Sequence, residues 1–260
     1  KIMAKTLKDK ISDKLANAFL TNKIISPIPS KFTKKLTEAD KFRKLCESKI
    51  KDPIIGFKAG GTGIPLMKKL KEKEPFIASV FKKNLIKSGK KVKINKSTLG
   101  IELEVCYLIK KTFFSSKSKI TKNNVTKYIS HMAPCIEVVG YRQKRKGITS
   151  FGDLSSDFGG NIKFLIGKKK KFKKINIGNL KTNISNKKAK QSVDGNTGAV
   201  YINPINSLRF VLNKVKKDKK ILDKDFYVFT GSTVGVVPII KKGMYSAKIE
   251  NLGSVKANII

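Results

Sequence analysis

Three glutamates are the residues of this sequence best placed to do chemistry, because acidic residues are scarce around them. The chain has 58 Lys+Arg residues against 18 Asp+Glu, and between Glu74 and Asp153 its carboxylates are Glu102, Glu104 and Glu137 alone. Two of the three are separated by a single residue inside an apolar run. Burying a carboxylate is unfavourable unless a partner compensates it, so this placement calls for a physical reason.

The run over residues 99–109 is rich in β-branched and aromatic residues, which predicts a strand with Glu102 and Glu104 on one face. Glu137 lies in a second strand-like run, residues 134–139. Carboxylate oxygens side by side on a rigid strand suit a hard divalent cation, and Glu137 from an adjacent strand would complete a triad. A second interpretation stays open, in which Glu102 and Glu104 form the outward face of an edge strand and balance nearby lysines in weak surface pairs.

Lys58 is the candidate for proton transfer. It ends the short apolar run 54–58 and precedes the Gly-rich segment 59–63. That segment has neither the spacing nor the following Lys of a phosphate-binding loop, so it favours no nucleotide. In so lysine-rich a chain, spacing alone would make Lys58 an ordinary solvated lysine. Beside a metal-bound carbonyl, however, a partly desolvated lysine can act as an acid or a base.

The elements that must position these residues form a mainly β, α+β chain. With 260 residues and 40% hydrophobic content, a sizeable core is available, and we expect a helical segment over 1–52 that packs on a main domain over 53–260. Apolar residues at helical spacing predict a first helix before residue 20, a second helix-like segment follows the Pro-containing residues 26–30 and opens at Leu36, and a further helix-like pattern covers 204–215. The predicted strands cover residues 54–58, 101–109, 136–139, 162–166, 198–201, 225–231 and 254–260.

Composition excludes several classes of protein. No apolar run approaches the roughly 20 residues of a membrane-spanning helix, so we expect no membrane span. The three cysteines are too few and too scattered for a disulfide framework, which favours a reducing cytoplasm. The formal net charge is +40, but arginine, the residue that reads base edges, is rare and Trp is absent. We therefore expect no specific nucleic-acid partner, and the lysines could at most steer anions. The arginines are Arg43, Arg142, Arg145 and Arg209.

The order of several motifs resembles the fumarylacetoacetate hydrolase superfamily, and within it the hydratase/decarboxylase branch of the 2-oxopent-4-enoate hydratase type. Each motif is weak by itself, and their order and spacing over nearly the whole chain carry the resemblance. They are Leu36-Thr-Glu-Ala-Asp-Lys-Phe42, Ile55-Gly-Phe-Lys-Ala-Gly60, Ile101-Glu-Leu-Glu-Val105, Ala133-Pro-Cys-Ile-Glu-Val-Val139 followed by Arg142, Gly198-Ala-Val-Tyr-Ile-Asn-Pro204, Phe229-Thr-Gly-Ser232 and Leu252-Gly-Ser-Val255.

The resemblance implies a mixed β roll or sandwich with N-terminal and peripheral helices, which binds Mg²⁺ or Mn²⁺. It also implies roles for single residues. Glu102, Glu104 and Glu137 would be the metal ligands, Lys58 the acid/base group, and Thr230 a contact for the substrate carboxylate. Asp157 is retained from a further family segment and is a second candidate for substrate binding. A 2-oxo acid could fill the open positions of such a cation with its carboxylate and ketone oxygens.

The sequence departs from the family pattern at the substrate end. The segment 75–81 lacks an acidic residue that many hydratases of this branch have, Gly140 and Tyr141 replace an Asp-Ser pair before Arg142, and the neighbours of Asp157 are changed. The family's carbon–carbon hydrolases use an N-terminal His/Glu pair, whereas the one histidine here is His131. This ranks hydrolase below hydratase and favours a structural role for His131 over metal contact.

These inferences predict a metal-dependent hydro-lyase that adds water to a 2-hydroxydienoate and gives a 4-hydroxy-2-oxo acid. The partner would be a small anionic 2-oxo acid, and we expect a homo-oligomer. The nearest alternative is decarboxylation of a 2-oxo-3-enedioate through the same metal chelation. An alternative of another class is an inactive scaffold that binds polyanions through its lysines.

Overall fold

The computed structural model describes residues 5–144 and 150–260, so Arg145 lies outside the described residues. Within these ranges the chain forms five α-helices, and most of its regular structure is in two β-sheets. The helices are Leu7–Thr21 (α1), Leu36–Ser48 (α2), Ile64–Lys69 (α3), Phe151–Ser156 (α4) and Pro204–Lys217 (α5).

The larger sheet contains nine strands and the smaller sheet five, counted over the described ranges. The nine are Ile54–Gly60 (β1), Phe76–Phe81 (β2), Leu85–Lys87 (β3), Thr98–Ile109 (β5), Ile129–Gly140 (β6), Asn161–Ile166 (β7), Lys170–Lys171 (β8), Phe226–Ser232 (β11) and Val237–Pro238 (β12). The five are Lys91–Val92 (β4), Lys181–Asn186 (β9), Gln191–Asn196 (β10), Gly243–Ile249 (β13) and Gly253–Ile259 (β14).

The larger sheet runs in the order β2-β1-β11-β5-β6-β7-β3, with β12 paired to β5 and β8 to β6. The pairs β1–β11 and β3–β7 are parallel, and the other pairs along this path are antiparallel. The smaller sheet runs in the order β10-β9-β13-β14-β4. The long strands β5 and β6 therefore lie in the middle of the larger sheet, where both of their edges are hydrogen-bonded.

The main core lies on one face of β5, because alternate residues of this strand are apolar on that side. Its side chains pack in one cluster with inward residues of β13 and β14 and with the apolar stripe of α5. The stripe repeats at the i, i+3, i+4, i+7 spacing of a helix face. The buried members named here are Ile101, Leu103, Val105, Tyr245, Ala247, Val255, Ala257, Leu208, Val211, Leu212 and Val215.

A second apolar cluster joins the N-terminal helices to the larger sheet. Leu15 and Phe19 of α1 and Phe42 of α2 pack with Phe81 at the end of β2 and with Phe158. The side chain of Thr6 accepts a hydrogen bond from the backbone N–H of Asp9 and caps α1. The α1–α2 segment therefore shares buried surface with the strands, while the proposed boundary at residue 52 stays a prediction.

The expected α+β, mainly β fold is confirmed, with one error among the predicted strands. Residues 198–201 are not extended, because Thr197–Ala199 form a short 3₁₀ turn. Tyr201 and Ile202 have φ angles of +37° and +76°, which no strand accommodates. These residues turn the chain from β10 into α5, whose first turn is capped by Asn203. Of the described helices, none is both long and apolar enough to cross a membrane.

Candidate active site

The paired strands β5 and β6 bring the three glutamates together. Glu102 lies directly opposite Glu137 in the antiparallel register, and Glu104 lies on the same face of β5, two residues further along. Glu104 and Glu137 are fully buried, and Glu102 is partly buried. Because β5 is flanked by β11 and β6, the alternative of an exposed edge strand is wrong.

The carboxylates converge on a common point, since one oxygen from each lies within 4.8 Å of the others. Glu104 Oε2 accepts a hydrogen bond of 2.9 Å from the backbone N–H of Gly231. Glu104 Oε1 and Glu137 Oε2 are buried and have no hydrogen-bond partner among the described residues. Buried carboxylate oxygens are costly to leave unpaired, so these two atoms mark a place for a bound cationic group.

A bulge in β11 supplies the Gly231 N–H. The pairing of β11 with β5 shifts between Phe229 and Ser232, and Gly231 has a φ of +105°. A Cβ atom at this position would lie 2.0 Å from Oγ1 of Thr62. Both the left-handed backbone and the close approach require glycine here. The bulge thus fixes the orientation of the Glu104 carboxylate.

Lys58 lies on β1, which is separated from β5 by β11. Its side chain reaches the glutamate cluster and contacts Glu137. Its Nζ atom is 2.5 Å from Glu137 Oε1 and donates a 3.1 Å hydrogen bond to the carbonyl of Gly159. The Lys58 side chain is 4% exposed. The structure therefore brings together all four residues that the sequence nominated for the metal and the proton.

Burial and mutual repulsion control the protonation of this cluster. Desolvation, reinforced by the charge of Glu137, raises the pKa of Glu102 from 4.5 to about 7. The same two causes raise the pKa of Glu104 well above its usual range. Desolvation lowers the pKa of Lys58, but the charges of the three glutamates outweigh it, so the net pKa of Lys58 lies above its usual value. Without a metal cation, the single positive charge of Lys58 does not balance the three carboxylates.

The donor set fits a hard divalent cation. It consists of carboxylate oxygens, and at least two of them are free to coordinate. A dication would offset the repulsion that raises the pKa values of Glu102 and Glu104. Three carboxylates also leave positions open for a ligand, as in catalytic rather than closed structural sites.

A short loop over residues 157–161 holds the Gly159 carbonyl against Lys58. Phe158, Gly159 and Gly160 have φ angles of +54°, +67° and +72° in succession. The carboxylate of Asp157 is fully buried and accepts hydrogen bonds from the backbone N–H and the guanidinium of Arg142, at 2.8 and 3.2 Å. These contacts secure a loop of uncommon backbone conformation directly beside the candidate catalytic group.

The carboxylate cluster opens into a cavity of about 380 Å³, lined by Lys58 and Glu102 on its floor. Glycine backbone from β1, β6, β11 and the 157–161 loop forms part of the wall, and apolar side chains form most of the rest. Lys58 is 3% exposed, whereas Leu99 and Val236 at the opening are 46% and 47% exposed. This is the size and character of a small-molecule site.

Two predicted substrate contacts occupy other positions. The hydroxyl of Thr230 is fully buried and donates a 2.9 Å hydrogen bond to the carbonyl of Val105. Asp157 is held by Arg142 and Gln143. Neither residue is part of the cavity lining, and their roles as substrate contacts stay predictions. His131 contacts the hydroxyl of Ser130 at 3.2 Å and is not part of the carboxylate cluster.

Sequence reasoning did not single out the backbone groups of the site. The Gly159 carbonyl and the Gly231 N–H contact Lys58 and Glu104. A signal was available in each case, because the Gly159-Gly160 pair comes just before the predicted strand 162–166 and Gly231 is the last residue of the predicted strand 225–231. Glycine alone, however, does not indicate which neighbour its backbone will meet.

Solved structures of enzymes share this fold. The chain is similar to 4-oxalocrotonate decarboxylase from Pseudomonas putida G7, complexed with magnesium and adipate, with a TM-score of 0.82 and 19% identity over 99% of this chain and 100% of that chain. It is also similar to fumarylpyruvate hydrolase from Pseudomonas aeruginosa, in complex with Mn²⁺ and pyruvate, with a TM-score of 0.59 and 12% identity over 80% of this chain and 91% of that chain.

A third similar structure is 2-hydroxyhepta-2,4-diene-1,7-dioate isomerase from Mycobacterium marinum, with a TM-score of 0.57 and 15% identity over 80% of this chain and 76% of that chain. No family model matches the sequence, and no curated protein matches it. The three enzymes belong to one superfamily and catalyse different reactions. Their similarity to this chain extends along most of its length, and the chain therefore has the fold of the fumarylacetoacetate hydrolase superfamily.

Proposed function

We propose that this protein is a divalent-metal-dependent hydro-lyase that adds water to a small 2-hydroxydienoate and gives a 4-hydroxy-2-oxo acid. The observation that carries the proposal is the buried cluster of Glu102, Glu104 and Glu137 with Lys58 at 2.5 Å from Glu137. A carboxylate cluster of this kind at the floor of a cavity is costly to fold without a ligand, which indicates function rather than stability.

Glu102, Glu104 and Glu137 would hold Mg²⁺ or Mn²⁺. When bound, the cation would draw electron density from the carboxylate and ketone oxygens of a 2-oxo acid and make its conjugated carbons reactive. The similar hydrolase complexed with Mn²⁺ and pyruvate supports this substrate class, since pyruvate is a 2-oxo acid. The similar decarboxylase complexed with magnesium supports the type of cation.

Lys58 would move the proton. The charge of Glu137, 2.5 Å from Nζ, favours the ammonium form of Lys58, which would give a proton to a substrate carbon, and the resulting amine would take the proton of the substrate 2-hydroxyl. These two transfers convert the dienol into the 2-oxo enoate, and water then adds across its conjugated double bond. The hydrogen bonds to Glu137 and to the Gly159 carbonyl hold Nζ at the cavity floor. A fixed donor position lowers the entropic cost of reaching the reactive geometry.

Decarboxylation of a 2-oxo-3-enedioate is the second candidate, because the similarity to 4-oxalocrotonate decarboxylase covers almost the entire chain. Both reactions would use the same carboxylates and Lys58. Product analysis distinguishes them, since the hydratase forms a hydroxylated product and the decarboxylase releases carbon dioxide. If the protein is the proposed hydratase, purified protein with Mg²⁺ should consume 2-hydroxypenta-2,4-dienoate faster than 2-oxo-3-hexenedioate.

The metal requirement is tested by chelation and substitution. Activity should disappear with chelator and return with Mg²⁺ or Mn²⁺, and Glu102→Gln and Glu137→Gln should weaken metal binding measured by calorimetry. Glu38→Gln is a matched control, because Glu38 forms an exposed pair with Lys41 outside the cavity. Full activity in either site variant would rule out the proposal. No bound metal together with steep, salt-dependent binding of polyanions would instead favour the inactive basic scaffold.

A further inference from the structure

The cavity of this protein has charge at one end only. Lys58 and Glu102 are the charged side chains among its described lining residues, and Lys58 is already compensated by Glu137. With a dication bound, the formal charges of the three glutamates, Lys58 and the metal sum to zero. Within the described lining, no further cation is available for a second anionic group of a ligand.

Most of the side chains in the walls and at the opening are apolar. Leu66, Phe76 and Leu154 line the cavity together with Val139, and Leu99 and Val236 lie at its opening. The exposure of the lining increases from Lys58 on the floor to Leu99 and Val236. A ligand whose carboxylate and ketone reach the floor must therefore place its opposite end among these apolar side chains.

The polar, uncharged side chains of the described lining are those of Thr62, Tyr141 and Ser232, and a neutral hydroxyl does not replace a cation. The hydroxyl of Ser232 donates a 2.8 Å hydrogen bond to the carbonyl of Gly235. Thr62 is 5% exposed and lies against Gly231. A carboxylate stranded among apolar side chains loses its hydration without a compensating partner. An alkyl or alkenyl end gains from the same burial.

We infer that the site selects 2-oxo acids whose far end is uncharged and apolar, and that it discriminates against acids with a second carboxylate. This inference rests on the proposed function, because it assumes that the 2-oxo acid end occupies the carboxylate cluster. It separates this protein from the similar decarboxylase, whose structure contains adipate, a dicarboxylate. The formal net charge of +40 attracts both kinds of acid, so the discrimination is local to the cavity.

The test compares equilibrium binding of two acids of equal length to the Mg²⁺-loaded protein by calorimetry. 2-Oxohexanoate ends in a methyl group, and 2-oxoadipate ends in a carboxylate. We expect 2-oxohexanoate to bind at least about 30-fold more tightly than 2-oxoadipate. Along the series pyruvate, 2-oxobutanoate and 2-oxohexanoate, each added methylene should improve the affinity by up to about three- to fourfold. Equal or tighter binding of 2-oxoadipate overturns the inference.

Pyruvate tests the proposed function separately from the inferred selectivity, because it carries the metal-binding end and almost nothing else. If pyruvate shows no Mg²⁺-dependent binding, the proposed function fails and the inference fails with it. If pyruvate binds with Mg²⁺ but 2-oxoadipate is preferred over 2-oxohexanoate, the inference alone is wrong.

A pair of charge variants locates the selectivity. Val236→Arg adds a cation at the cavity opening on a residue that is 47% exposed, and Ile221→Arg adds the same charge on a residue that is 76% exposed and is not part of the lining. Val236→Arg should shift the ratio of affinities toward 2-oxoadipate by at least about tenfold, and Ile221→Arg should leave the ratio unchanged. An equal shift in both variants would assign the preference to long-range surface charge and contradict the inference.

Discussion

Two buried ion pairs contact the loop over residues 157–161. In one, Lys58 contacts Glu137 at 2.5 Å, and in the other, Arg142 contacts Asp157 at 3.2 Å. Both carboxylates are fully buried, and both cations reach the loop, since Lys58 donates to the Gly159 carbonyl and Arg142 to the Asn161 carbonyl. Each pair thus joins a buried basic side chain to a buried carboxylate, and burial alone does not distinguish them.

Their remaining hydrogen-bonding capacity distinguishes them. Both oxygens of Asp157 accept hydrogen bonds, from Arg142 and from Gln143. Glu137 uses Oε1 for Lys58, while Oε2 has no partner among the described residues and belongs to the cluster with Glu102 and Glu104. A saturated buried pair is suited to holding backbone in place, and an unsaturated pair retains capacity for a ligand.

The largest expected effect follows from removing a negative charge from the cluster of Glu102, Glu104 and Glu137, which contains the unsaturated pair. Glu104→Gln should lower Mn²⁺ affinity by more than the roughly 10–100-fold that loss of an outer-shell partner costs, and activity should fall further. The amide oxygen of the new side chain can still accept from Gly231, so the free energy of unfolding without metal should be unchanged or higher. Calorimetric metal titration and thermal unfolding measure the two effects. Unaltered metal affinity would contradict the assignment of Glu104 as a metal ligand.

Removal of Lys58, the proposed proton-transfer group, should have the next largest effect. Lys58→Met should reduce kcat by about 10²–10⁴-fold, the range typical of general acid–base catalysis. Metal affinity should be kept or increased, because the variant removes a positive charge next to the carboxylates. Lys163→Met is a matched control, since Lys163 is partly buried and donates to the Lys83 carbonyl away from the cavity. Similar loss of kcat in both variants would show that Lys58 acts through stability.

Disruption of the saturated pair should act on folding instead. Asp157→Asn leaves Arg142 buried without a negative partner and should lower the free energy of unfolding by about 3 kcal/mol. Asp13→Asn removes a carboxylate from an exposed pair and should lower the free energy of unfolding by much less. Chemical denaturation measures both. A large rise in KM with unchanged stability in Asp157→Asn would instead support the prediction that Asp157 contacts the substrate.

The smallest expected effect is a pH dependence of stability. Because the pKa of Glu102 rises from 4.5 to about 7 in the folded protein, the metal-free native state binds more protons than the unfolded state between these pH values. Its free energy of unfolding should therefore decrease as pH rises from about 4.5 through 7. Mg²⁺ competes with this proton, so the increase in Tm on adding Mg²⁺ should be greater at pH 8 than at pH 5. Each kcal/mol corresponds to roughly 2–4 °C.

The Glu102→Gln variant provides the control for this pH dependence. It has no titrating group at this position, so the decrease in Tm between pH 4.5 and 7 should become smaller. The same decrease in the variant would mean that other groups dominate the titration of the metal-free protein.

Much of the site followed from local sequence patterns. The scarcity of acids around Glu102 and Glu104, their alternation on one strand and the place of Lys58 at a strand end were sufficient to nominate them. The first helix and α5 followed from apolar spacing in the same way. Residues 198–201 did not, because their apolar letters resemble a strand while the turn into α5 requires left-handed backbone at Tyr201 and Ile202.

The sequence by itself determined the types of chemical group and their strands, because alternation and burial preference are properties of a few neighbouring residues. Tertiary structure alone decided the pairing of Glu102 with Glu137, the contact of Lys58 with the Gly159 carbonyl and the use of Asp157 to hold Arg142. Strand register and loop docking join residues far apart in the chain, and they depend on packing that no local pattern records. The same reason explains why the apolar walls of the cavity, and with them the inferred choice of substrate, emerged from the structure.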